Sequence, residues 1–502
     1  MPFSIVNSVT AWFLKKRIHQ IELFKKYPIE VQNEVLMSLI KRAKNTELGK
    51  KYNFNSIKDY STFSKYVPVS NYEEFFKHIN RSMNGENNIF WYSEIKWYAQ
   101  SSGTTNSKSK FIPVSKESLE DCHYKAGKDV LCLYINNNEN SNLFSGKSLR
   151  LGGSKKILNN NDKYFGDLSA ILIDNLPIWA EMMSTPNNEI SLMDKWDEKL
   201  DALISNTLKE DVTSLAGVPS WMLIMINKVL KEKNVNNVKE IWRNLEVYFH
   251  GGVDFKPYKG QFQKILGQGV RYYEIYNASE GFFAIQDRND KNDMLLMLDY
   301  GIFFEFQEYR SDGSKNDKII NLSQVELNTN YAIIISTNAG LWRYKIGDTV
   351  RFTSLKPFRI KISGRTKSFI NAFGEELIIE NAEKALNKTL SKHKSSIIEY
   401  TVAPSFINKN KSGYHEWLIE FKTKPKNMSV FSTDLDTNLQ ILNSDYKAKR
   451  FKNITMAELK ITFAKDNLFY DWLKQKNKLG GQNKIPRLSN NRKIIEELLM
   501  IN

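Results

Sequence analysis

The order of predicted secondary structure changes near Phe358, and this change limits the fold more than any other feature of the sequence. Before it, strand-like runs such as Tyr272–Tyr276 and Tyr331–Ser336 alternate with helices such as Trp221–Glu232. That alternation is typical of a large mixed α/β body. After it, the predicted order is strand, helix, two strands, helix, strand and helix, which indicates a smaller α+β unit.

The length of the chain supports a division into two domains. The sequence has 502 residues, more than the roughly 250–300 at which a single hydrophobic core stops growing. Gly364 gives the backbone extra freedom next to the change of pattern. We therefore predict a large N-terminal domain over residues 1–363 and a smaller, mobile C-terminal domain over residues 364–502.

Hydrophobic periodicity predicts individual elements. Apolar residues at helical spacing predict two helices within residues 5–44 and one helix over Lys116–Tyr134. The C-terminal part is predicted to contain helices over Leu377–Leu390 and Thr433–Lys447. The polar segment Ser311–Lys318 is predicted to be a turn between two strands.

The chain is basic, with 72 Lys and Arg against 56 Asp and Glu and a formal net charge of +16. This charge permits anionic partners without naming one. The basic residues are interleaved with carboxylates and apolar helical positions, which is typical of solvated helix faces. No nucleic-acid recognition module accompanies them, so we predict no nucleic-acid partner.

Cysteine use and the N-terminal segment indicate the compartment. Cys122 and Cys132 lie on one predicted helix, about 15 Å apart along its axis, which is too far for a disulfide within that helix. In residues 1–16 a short apolar stretch precedes the basic residues, the reverse of a secretory signal. No apolar run approaches the ~20 residues of a membrane span. We predict a cytoplasmic monomer with no membrane partner.

A polar loop between two extended segments is the first candidate site. Hydroxyls, backbone N–H groups and lysines can together wrap a polyphosphate, and all three occur in Gln100-Ser101-Ser102-Gly103-Thr104-Thr105-Asn106-Ser107-Lys108-Ser109-Lys110. The Gly-Lys-Ser/Thr ending of a Walker loop is absent. A solvated connection has the same composition, so the loop alone leaves both interpretations open.

Two further segments place chemical groups just after strands. Tyr276-Asn277-Ala278-Ser279-Glu280-Gly281 offers an aromatic face, an amide, a hydroxyl and a carboxylate within six residues. Trp342-Arg343-Tyr344-Lys345-Ile346-Gly347-Asp348 ends in an acid whose two oxygens could accept hydrogen bonds from ribose hydroxyls. Each segment alone is also compatible with an ordinary turn. The same holds for Gly251-Gly252, Gly364-Arg365 and Gly480-Gly481-Gln482-Asn483-Lys484-Ile485-Pro486-Arg487.

The order of these motifs resembles the adenylate-forming superfamily of acyl-CoA synthetases, luciferases and peptide-synthetase adenylation domains. More specifically, the chain resembles the auxin-responsive Gretchen Hagen family of acyl acid amido synthetases, in its bacterial branch. That closer likeness is carried by Ser101-Ser102-Gly103-Thr104-Thr105, Lys110-Phe111-Ile112-Pro113, Ala278-Ser279-Glu280-Gly281 and Leu341-Trp342-Arg343-Tyr344. It extends from about Asn45 to Arg487.

The resemblance implies ATP and Mg²⁺ as cofactors and a role for each matched residue. Triphosphate binding is implied for Ser101, Ser102, Gly103, Thr104, Thr105 and Lys110. Adenosine binding is implied for Gly251, Gly252, Tyr276, Ala278, Ser279 and Asp348. Of these, Tyr276 would stack near adenine and Asp348 would bind the ribose hydroxyls. Catalytic roles are implied for three residues. Glu280 is the carboxylate that would face the metal ion, and Arg365 and Lys484 are the two cations. Asn106-Ser107 departs from the family by replacing a common glycine.

The implied architecture is that of firefly luciferase. The implied reaction activates a carboxylic acid as acyl-AMP and then transfers the acyl group to an amine, with an amino acid as the expected acceptor. Two alternatives remain open. One is an acyl-CoA ligase with the same first step, and the other is a nucleotide-binding regulatory protein without catalysis.

Three histidines are candidates for lining the acyl or acceptor pocket. His250 precedes Gly251, and His415 lies in Tyr414-His415-Glu416-Trp417, so either could act as a base toward the acceptor amine. His123 lies on the predicted helix near the polar loop. None shows metal-ligand spacing, and a packed structural role is open for each.

Overall fold

The computed structural model describes residues 16–101, 110–152, 158–160, 162–193, 195–252, 255–309, 315–366, 369–370, 372–373, 375, 377–405, 413–450, 456–479, 484–489 and 491–502. The strands are β1 Trp97–Ser101, β2 Lys110–Val114, β3 Lys147–Arg150, β4 Leu158–Asn160, β5 Lys163–Gly166, β6 Ser184–Thr185, β7 Val212–Gly217, β8 Val247–Gly251, β9 Arg271–Ala278, β10 Gly281–Ile285, β11 Met294–Leu296, β12 Ile302–Tyr309, β13 Lys315–Asn321, β14 Asn330–Thr337, β15 Tyr344–Leu355, β16 Phe358–Arg365, β17 Phe369–Ile370, β18 Leu377–Ile378, β19 Ser396–Ser405, β20 Tyr414–Thr423 and β21 Lys460–Phe463.

The helices follow the same numbering along the chain. They are α1 Pro28–Ala43, α2 Glu47–Lys51, α3 Tyr60–Tyr66, α4 Tyr72–Met83, α5 Lys116–Ser118, α6 Lys125–Asn137, α7 Leu168–Asp174, α8 Ile178–Met182, α9 Asn188–Ser191, α10 Trp196–Thr207, α11 Pro219–Lys233, α12 Lys256–Leu266, α13 Ile379–Lys392, α14 Met428–Leu442, α15 Ser444–Arg450, α16 Leu468–Gln475 and α17 Lys493–Ile501. Residues 16–26 are also helical. Among the described helices, none has both the length and the apolar character that crossing a bilayer requires.

The N-terminal body is built on a long mixed sheet with strand order β13-β12-β14-β15-β16-β11-β10-β9-β8-β7-β3-β6. Strands β6, β3, β7, β8 and β9 are parallel to one another, and the remaining neighbours pair antiparallel. A second sheet has the order β2-β1-β5-β4. The parallel strands end at one edge, where the carboxyl ends of neighbouring strands meet.

Buried apolar side chains explain why the central strands form. Every residue of β8 and β10 is buried, as expected for strands covered on both faces. Phe283, Phe304 and Trp342 belong to one apolar core that runs from Ile21 to Ile360. This core fixes the strands that carry most of the predicted site residues.

The C-terminal body has its own core. The sheet β19-β20-β21 pairs antiparallel between β19 and β20 and parallel between β20 and β21. Tyr400 and Trp417 stack at 5.6 Å between ring centroids on these strands. Helices α13 and α14 contribute buried residues such as Leu386 and Leu435 to the same core. The mixed α/β body followed by an α+β body agrees with the predicted fold class.

The two bodies are in contact. A second apolar core joins N-terminal residues such as Trp221 with C-terminal residues such as Leu468. Trp221 and Tyr470 lie 6.3 Å apart between ring centroids. Gln261 Nε2 donates a hydrogen bond to the carbonyl oxygen of Ile397 at 2.8 Å. The predicted boundary after residue 363 falls within β16, which continues to Arg365.

Several predicted elements are corrected. The predicted helix Thr433–Lys447 is two helices, because Asn443 adopts an extended backbone and its side chain accepts a hydrogen bond from the Tyr446 N–H at 2.8 Å. The helix predicted over Lys116–Tyr134 contains a π-helical turn at Leu119–Tyr124. The predicted turn Ser311–Lys318 is wrong at its end, since β13 begins at Lys315. Helix α17 was not predicted.

Candidate nucleotide-binding cleft

A cleft of about 840 Å³ lies between the ends of β8 and β9, the β15–β16 pair and the C-terminal segment that carries Lys484. It gathers predicted site residues that are far apart in the sequence. Those among its lining residues are Lys110, Gly252, Tyr276, Ala278, Ser279, Glu280, Asp348 and Lys484. The N-terminal and C-terminal bodies therefore both contribute to one site.

A bulge in β15 positions Asp348. The pairing of β14 with β15 shifts between Ala332 and Ile334, opposite this segment. Gly347 has φ +90°, a left-handed conformation that favours glycine. Bulges of this kind change the direction of the side chains beside them. Asp348 is 7% exposed, and its Oδ2 accepts a hydrogen bond from the Tyr276 hydroxyl at 2.7 Å.

Tyr276 therefore has a role that its position in the sequence did not indicate. Its side chain is 4% exposed, and its ring lies edge-to-face on Phe283 at 4.9 Å between centroids. Little ring surface is left for stacking on a base. The Tyr276 hydroxyl instead donates the hydrogen bond that holds the Asp348 carboxylate.

Glu280 lies at the tip of the hairpin between β9 and β10. Ala278 pairs with Gly281, so Ser279 and Glu280 form a two-residue turn. Burial raises the pKa of Tyr344 well above its usual value, and the negative charge of Glu280 adds to the shift. The buried Tyr344 hydroxyl has no hydrogen-bond partner among the described residues. The hairpin thus places a carboxylate and two small residues at the wall of the cleft.

Two glycines at the end of β8 allow neighbouring groups to approach closely: strand β9 at Gly251 and the C-terminal body at Gly252. A Cβ on Gly251 would lie 2.4 Å from the carbonyl oxygen of Ile275 on the neighbouring strand. Gly252 has φ +86°, and a Cβ there would lie 3.1 Å from the Nζ of Lys484. Larger residues at either position would displace β9 or the lysine.

The polar loop is only partly described. Ser101 pairs with Lys110 at the end of the β1–β2 hairpin that adjoins the loop. The predicted residues Ser102, Gly103, Thr104 and Thr105 lie outside the described residues. Lys110 lines the cleft, with its Nζ 5.3 Å from the ring centroid of Tyr72.

Arg365 is described through its backbone, which pairs with Asp348 between β16 and β15. The register places the two residues side by side at the edge of the cleft. Nothing is described of the Arg365 or Ser101 side chains.

The first of the three candidate histidines, His250, is packed against an aromatic ring. His250 lines the cleft and stacks on Phe255 at 3.9 Å between ring centroids. Burial, aided by the charge of Lys259, lowers the pKa of His250 to about 3. An imidazole with so low a pKa is a poor proton acceptor near pH 7, which favours the packed structural role of His250 over the role of a base.

His415 is not brought to the cleft. It is fully buried on β20, and its Nε2 lies 2.6 Å from the Glu375 Oε1. Its side chain cannot reach an acceptor in this pose. His123 is buried, and burial lowers its pKa to about 4, so it is neutral at physiological pH.

Several cations that line the cleft were given no role by the sequence analysis, among them Lys256, Lys259 and Arg487. Two lie on α12, where exposed lysines have the spacing of an ordinary solvated face. Arg487 donates from Nη2 to the Tyr258 hydroxyl at 3.0 Å and lies 4.7 Å above the Tyr400 ring. It links the two bodies beside the cleft.

The groups present fit a magnesium nucleotide. Asp348 offers carboxylate oxygens in a buried position, and Lys110 and Lys484 offer cations for phosphate oxygens. Mg²⁺ is commonly held by one or two carboxylates together with substrate phosphates. The described residues contain no group of three or more His, Cys, Asp or Glu side chains that could hold a metal alone. Glu280 is a carboxylate at the wall of the same cleft.

The fold is shared with two solved structures of ligases. The chain superposes on 2-hydroxyisobutyryl-CoA ligase in the postadenylation state with a TM-score of 0.61 at 12% identity, covering 94% of this chain and 91% of that one. It superposes on GH3.15 acyl acid amido synthetase with a TM-score of 0.81 at 17% identity, covering 96% and 95%.

Three protein-family models match segments of this chain. They match the GH3 family N-terminal domain at residues 17–270, the central domain at 295–365 and the C-terminal domain at 380–493. The chain belongs to the GH3 family, which confirms the resemblance drawn from its motifs.

Curated relatives span nearly the whole chain. The indole-3-acetic acid-amido synthetase GH3.3 of Arabidopsis thaliana is 23% identical over 91% of this chain and 89% of its own length. The 4-substituted benzoates-glutamate ligase GH3.12 of the same plant is 21% identical over 93% and 94%.

Proposed function

We propose that this chain is an ATP-dependent acyl acid amido synthetase. It activates a carboxylic acid as acyl-AMP and transfers the acyl group to an amine, with an amino acid as the acceptor. The observation that carries this proposal is the meeting of Asp348, Glu280 and Lys484 in one cleft, from three distant segments and two bodies. The GH3 relatives, named as amido synthetases and as a glutamate ligase, support the same activity.

The first step needs positioning and charge neutralisation rather than a protein nucleophile. A carboxylate oxygen of the acid attacks the α-phosphorus, the acyl–phosphate bond forms and pyrophosphate leaves. Lys484 neutralises charge on the phosphate, and Asp348, held by Tyr276, accepts hydrogen bonds from the ribose. Glu280 would hold Mg²⁺, which supplies further charge neutralisation when bound.

The remaining matched residues complete the proposed site. The loop Ser101 to Thr105 and Lys110 bind the triphosphate, Gly251 and Gly252 lie against adenine, and Arg365 reaches the ribose and phosphate side. These roles follow from the family match, from the β1–β2 hairpin that ends at the loop and from the register of Arg365 with Asp348.

The second step is acyl transfer. The neutral amine attacks the acyl carbonyl, the amide C–N bond forms, AMP leaves and the amine loses a proton. His250 and His123 stay neutral, and His415 is paired in the C-terminal sheet. The acceptor is therefore proposed to enter as the neutral amine or to lose its proton to solvent or to another group.

We also propose that the enzyme is a cytoplasmic monomer. Cys122 and Cys132 are both buried and neither forms a disulfide, which suits a reducing compartment. The cleft is formed by one chain, so a second copy is not needed to build it. Light scattering on the purified protein tests the oligomeric state.

The activity is tested in two stages. A panel of carboxylic acids is first screened for acid-dependent exchange of pyrophosphate with ATP. Accepted acids are then incubated with ATP, Mg²⁺ and either an amino-acid mixture or coenzyme A, and the products are identified by mass spectrometry. An amide is the expected product. A thioester without any amide would favour an acyl-CoA ligase, and binding of ATP without exchange for any acid would favour a regulatory protein.

A further inference from the structure

A second groove, of about 850 Å³, lies between α12 and the C-terminal body. Helix α12 lies between the groove and the cleft: Lys259 and Gln263 line the cleft, Gln261 and Lys264 line the groove, and Lys256 at the start of the helix lines both. The reaction proposed above uses none of the groove's own residues.

The groove is strongly basic. Five lysines line it, three from the N-terminal body and two from the C-terminal body: Lys231, Lys256, Lys264, Lys394 and Lys422. No Asp or Glu is found among the described residues that line it. Within the described part of the chain, no carboxylate forms an ion pair with Lys231, Lys264, Lys394 or Lys422.

These lysines repel one another across the boundary between the bodies. Burial lowers the pKa of Lys422, and the charge of Lys264 from the opposite body adds to the shift. Like charges brought together without a counter-charge destabilise the contact between the bodies. An anion between them would remove that repulsion.

Buried polar atoms without partners line the same groove. Among the described residues, Gln261 Oε1, Asn387 Nδ2 and Ser395 Oγ are buried and make no hydrogen bond. Gln261 is 8% exposed, and its Nε2 makes the hydrogen bond to Ile397 that joins the two bodies. A buried polar atom without a hydrogen-bond partner destabilises the folded state. Amide and hydroxyl donors beside lysines are the groups that bind anionic oxygens.

We propose that the groove binds a small polyvalent oxyanion of the phosphate or pyrophosphate class, and that the bound anion holds the two bodies in the pose in which Lys484 reaches the cleft. The lysines of both bodies, Asn387 and Ser395 donate to its oxygens. Gln261 Oε1 accepts from a protonated oxygen of the anion or from a bridging water.

Calorimetric titration with pyrophosphate, without added metal, tests the proposal. The groove variant is Lys394→Gln/Lys422→Gln, which removes two charges from the C-terminal wall. The matched control is Lys388→Gln/Lys426→Gln, which removes two charges from exposed lysines of the same body outside the groove. Lys484→Ala lowers binding in the cleft and leaves the groove intact. A parallel titration with AMP separates binding of the nucleotide from binding of the free anion.

We expect the groove variant to bind pyrophosphate at least tenfold more weakly at the groove, the control to stay within twofold of the parent chain, and the Lys484→Ala protein to retain the groove site. Hydrogen exchange in residues 394–397 should slow when pyrophosphate is added to the parent chain and to Lys484→Ala. Unchanged affinity in the groove variant, or loss of all binding in Lys484→Ala, would overturn the proposal. Neither result would affect the proposed amide synthesis, which is measured by its product.

Discussion

Asp348 is buried and already accepts a hydrogen bond from Tyr276, so its position is set before any ligand arrives. The hydroxyl also compensates part of the cost of keeping a carboxylate out of water. This pairing joins two motifs that are 72 positions apart in the sequence.

The first prediction concerns this pair. Asp348→Asn keeps the shape and removes the charge, so we expect ATP affinity to fall roughly 10- to 100-fold, since hydrogen bonds to a charged group contribute about 1.5–3 kcal/mol. Tyr276→Phe should lose less, because it removes only the hydroxyl that orients the carboxylate. Calorimetry with ATP measures both. Asp290→Asn, at a side chain that is 71% exposed, is the control. Full ATP affinity in folded Asp348→Asn would remove this residue from the site.

The second prediction uses the buried histidines. Burial lowers the pKa of His250 to about 3 and of His123 to about 4, below the value of about 6.5 expected in the unfolded chain. Between these values the unfolded chain binds more protons than the folded chain, so stability falls as pH drops from about 6.5 toward 4. Each histidine contributes up to about 1.4 kcal/mol per pH unit in that window, and its contribution is fully present above it.

Urea unfolding at several pH values measures this dependence. The midpoint should fall less on acidification in His123→Leu and His250→Leu than in the parent chain. His19→Gln, at an exposed histidine, should follow the parent chain. Equal pH dependence in all four proteins would contradict the neutral, buried state of the two histidines.

At the scale of elements, the ends of strands build the cleft. Strand β8 ends at Gly251, the β9–β10 hairpin turns at Glu280, and the β15 bulge turns the chain at Asp348. Each feature depends on a local backbone conformation and on a neighbouring strand that fixes it. Helix α12 then separates the cleft from the lysine groove.

The third prediction tests the bulge. A Cβ on Gly347 would meet only the Thr366 Oγ1, at 3.8 Å, so Gly347→Ala introduces backbone strain without a clash. Left-handed backbone in a residue with a Cβ costs about 1–2 kcal/mol. We expect lower stability by that amount and weaker ATP binding, because the bulge relaxes and Asp348 moves.

Gly127→Ala is the matched control for this substitution. It lies within α6, where a Cβ meets nothing within 4 Å, so alanine should leave ATP binding unchanged and raise stability by roughly 0.5–1 kcal/mol. Thermal unfolding measures the stability of both variants, and calorimetry measures their affinity for ATP. Unchanged ATP binding and stability in Gly347→Ala would show that the bulge does not depend on glycine.

At the scale of the whole molecule, the lysine that we propose to be catalytic, Lys484, comes from a different body than Asp348 and Glu280. Lys484 lies over Gly252, while an apolar core and the Trp221–Tyr470 contact join the two bodies. A rotation of the C-terminal body would have to break these contacts, so a second pose needs compensating contacts of its own.

The fourth prediction is that Lys484 acts in one half of the reaction. Lys484→Ala should reduce pyrophosphate exchange by about 100-fold or more, the loss typical of one group that stabilises transition-state charge. Amide formation from supplied acyl-AMP should change much less. Lys478→Ala, at an exposed lysine of the same body, is the control. Equal loss in both half-reactions would contradict a two-pose mechanism.

Much of the fold was predictable because it depends on short-range patterns. Apolar periodicity placed elements that it predicted, such as α11 and β14, within a few residues of their observed bounds, and the motif order indicated the family. Helix capping was harder to predict. Apolar periodicity alone continues the helix past Asn443, whereas the observed helix α14 ends just before this residue. Helix α17 was missed although its apolar residues pack into the core shared by both bodies.

The sequence by itself determined the types of element, the positions of the glycines at the cleft and the order of the site motifs, because each depends on residues close together in the chain. Only the tertiary structure decided that Tyr276 holds Asp348, that His415 pairs with Glu375 away from the cleft, and that lysines of two bodies share a groove. These contacts join residues that are distant in sequence, and burial and pairing, which set their chemistry, exist only once the chain is packed.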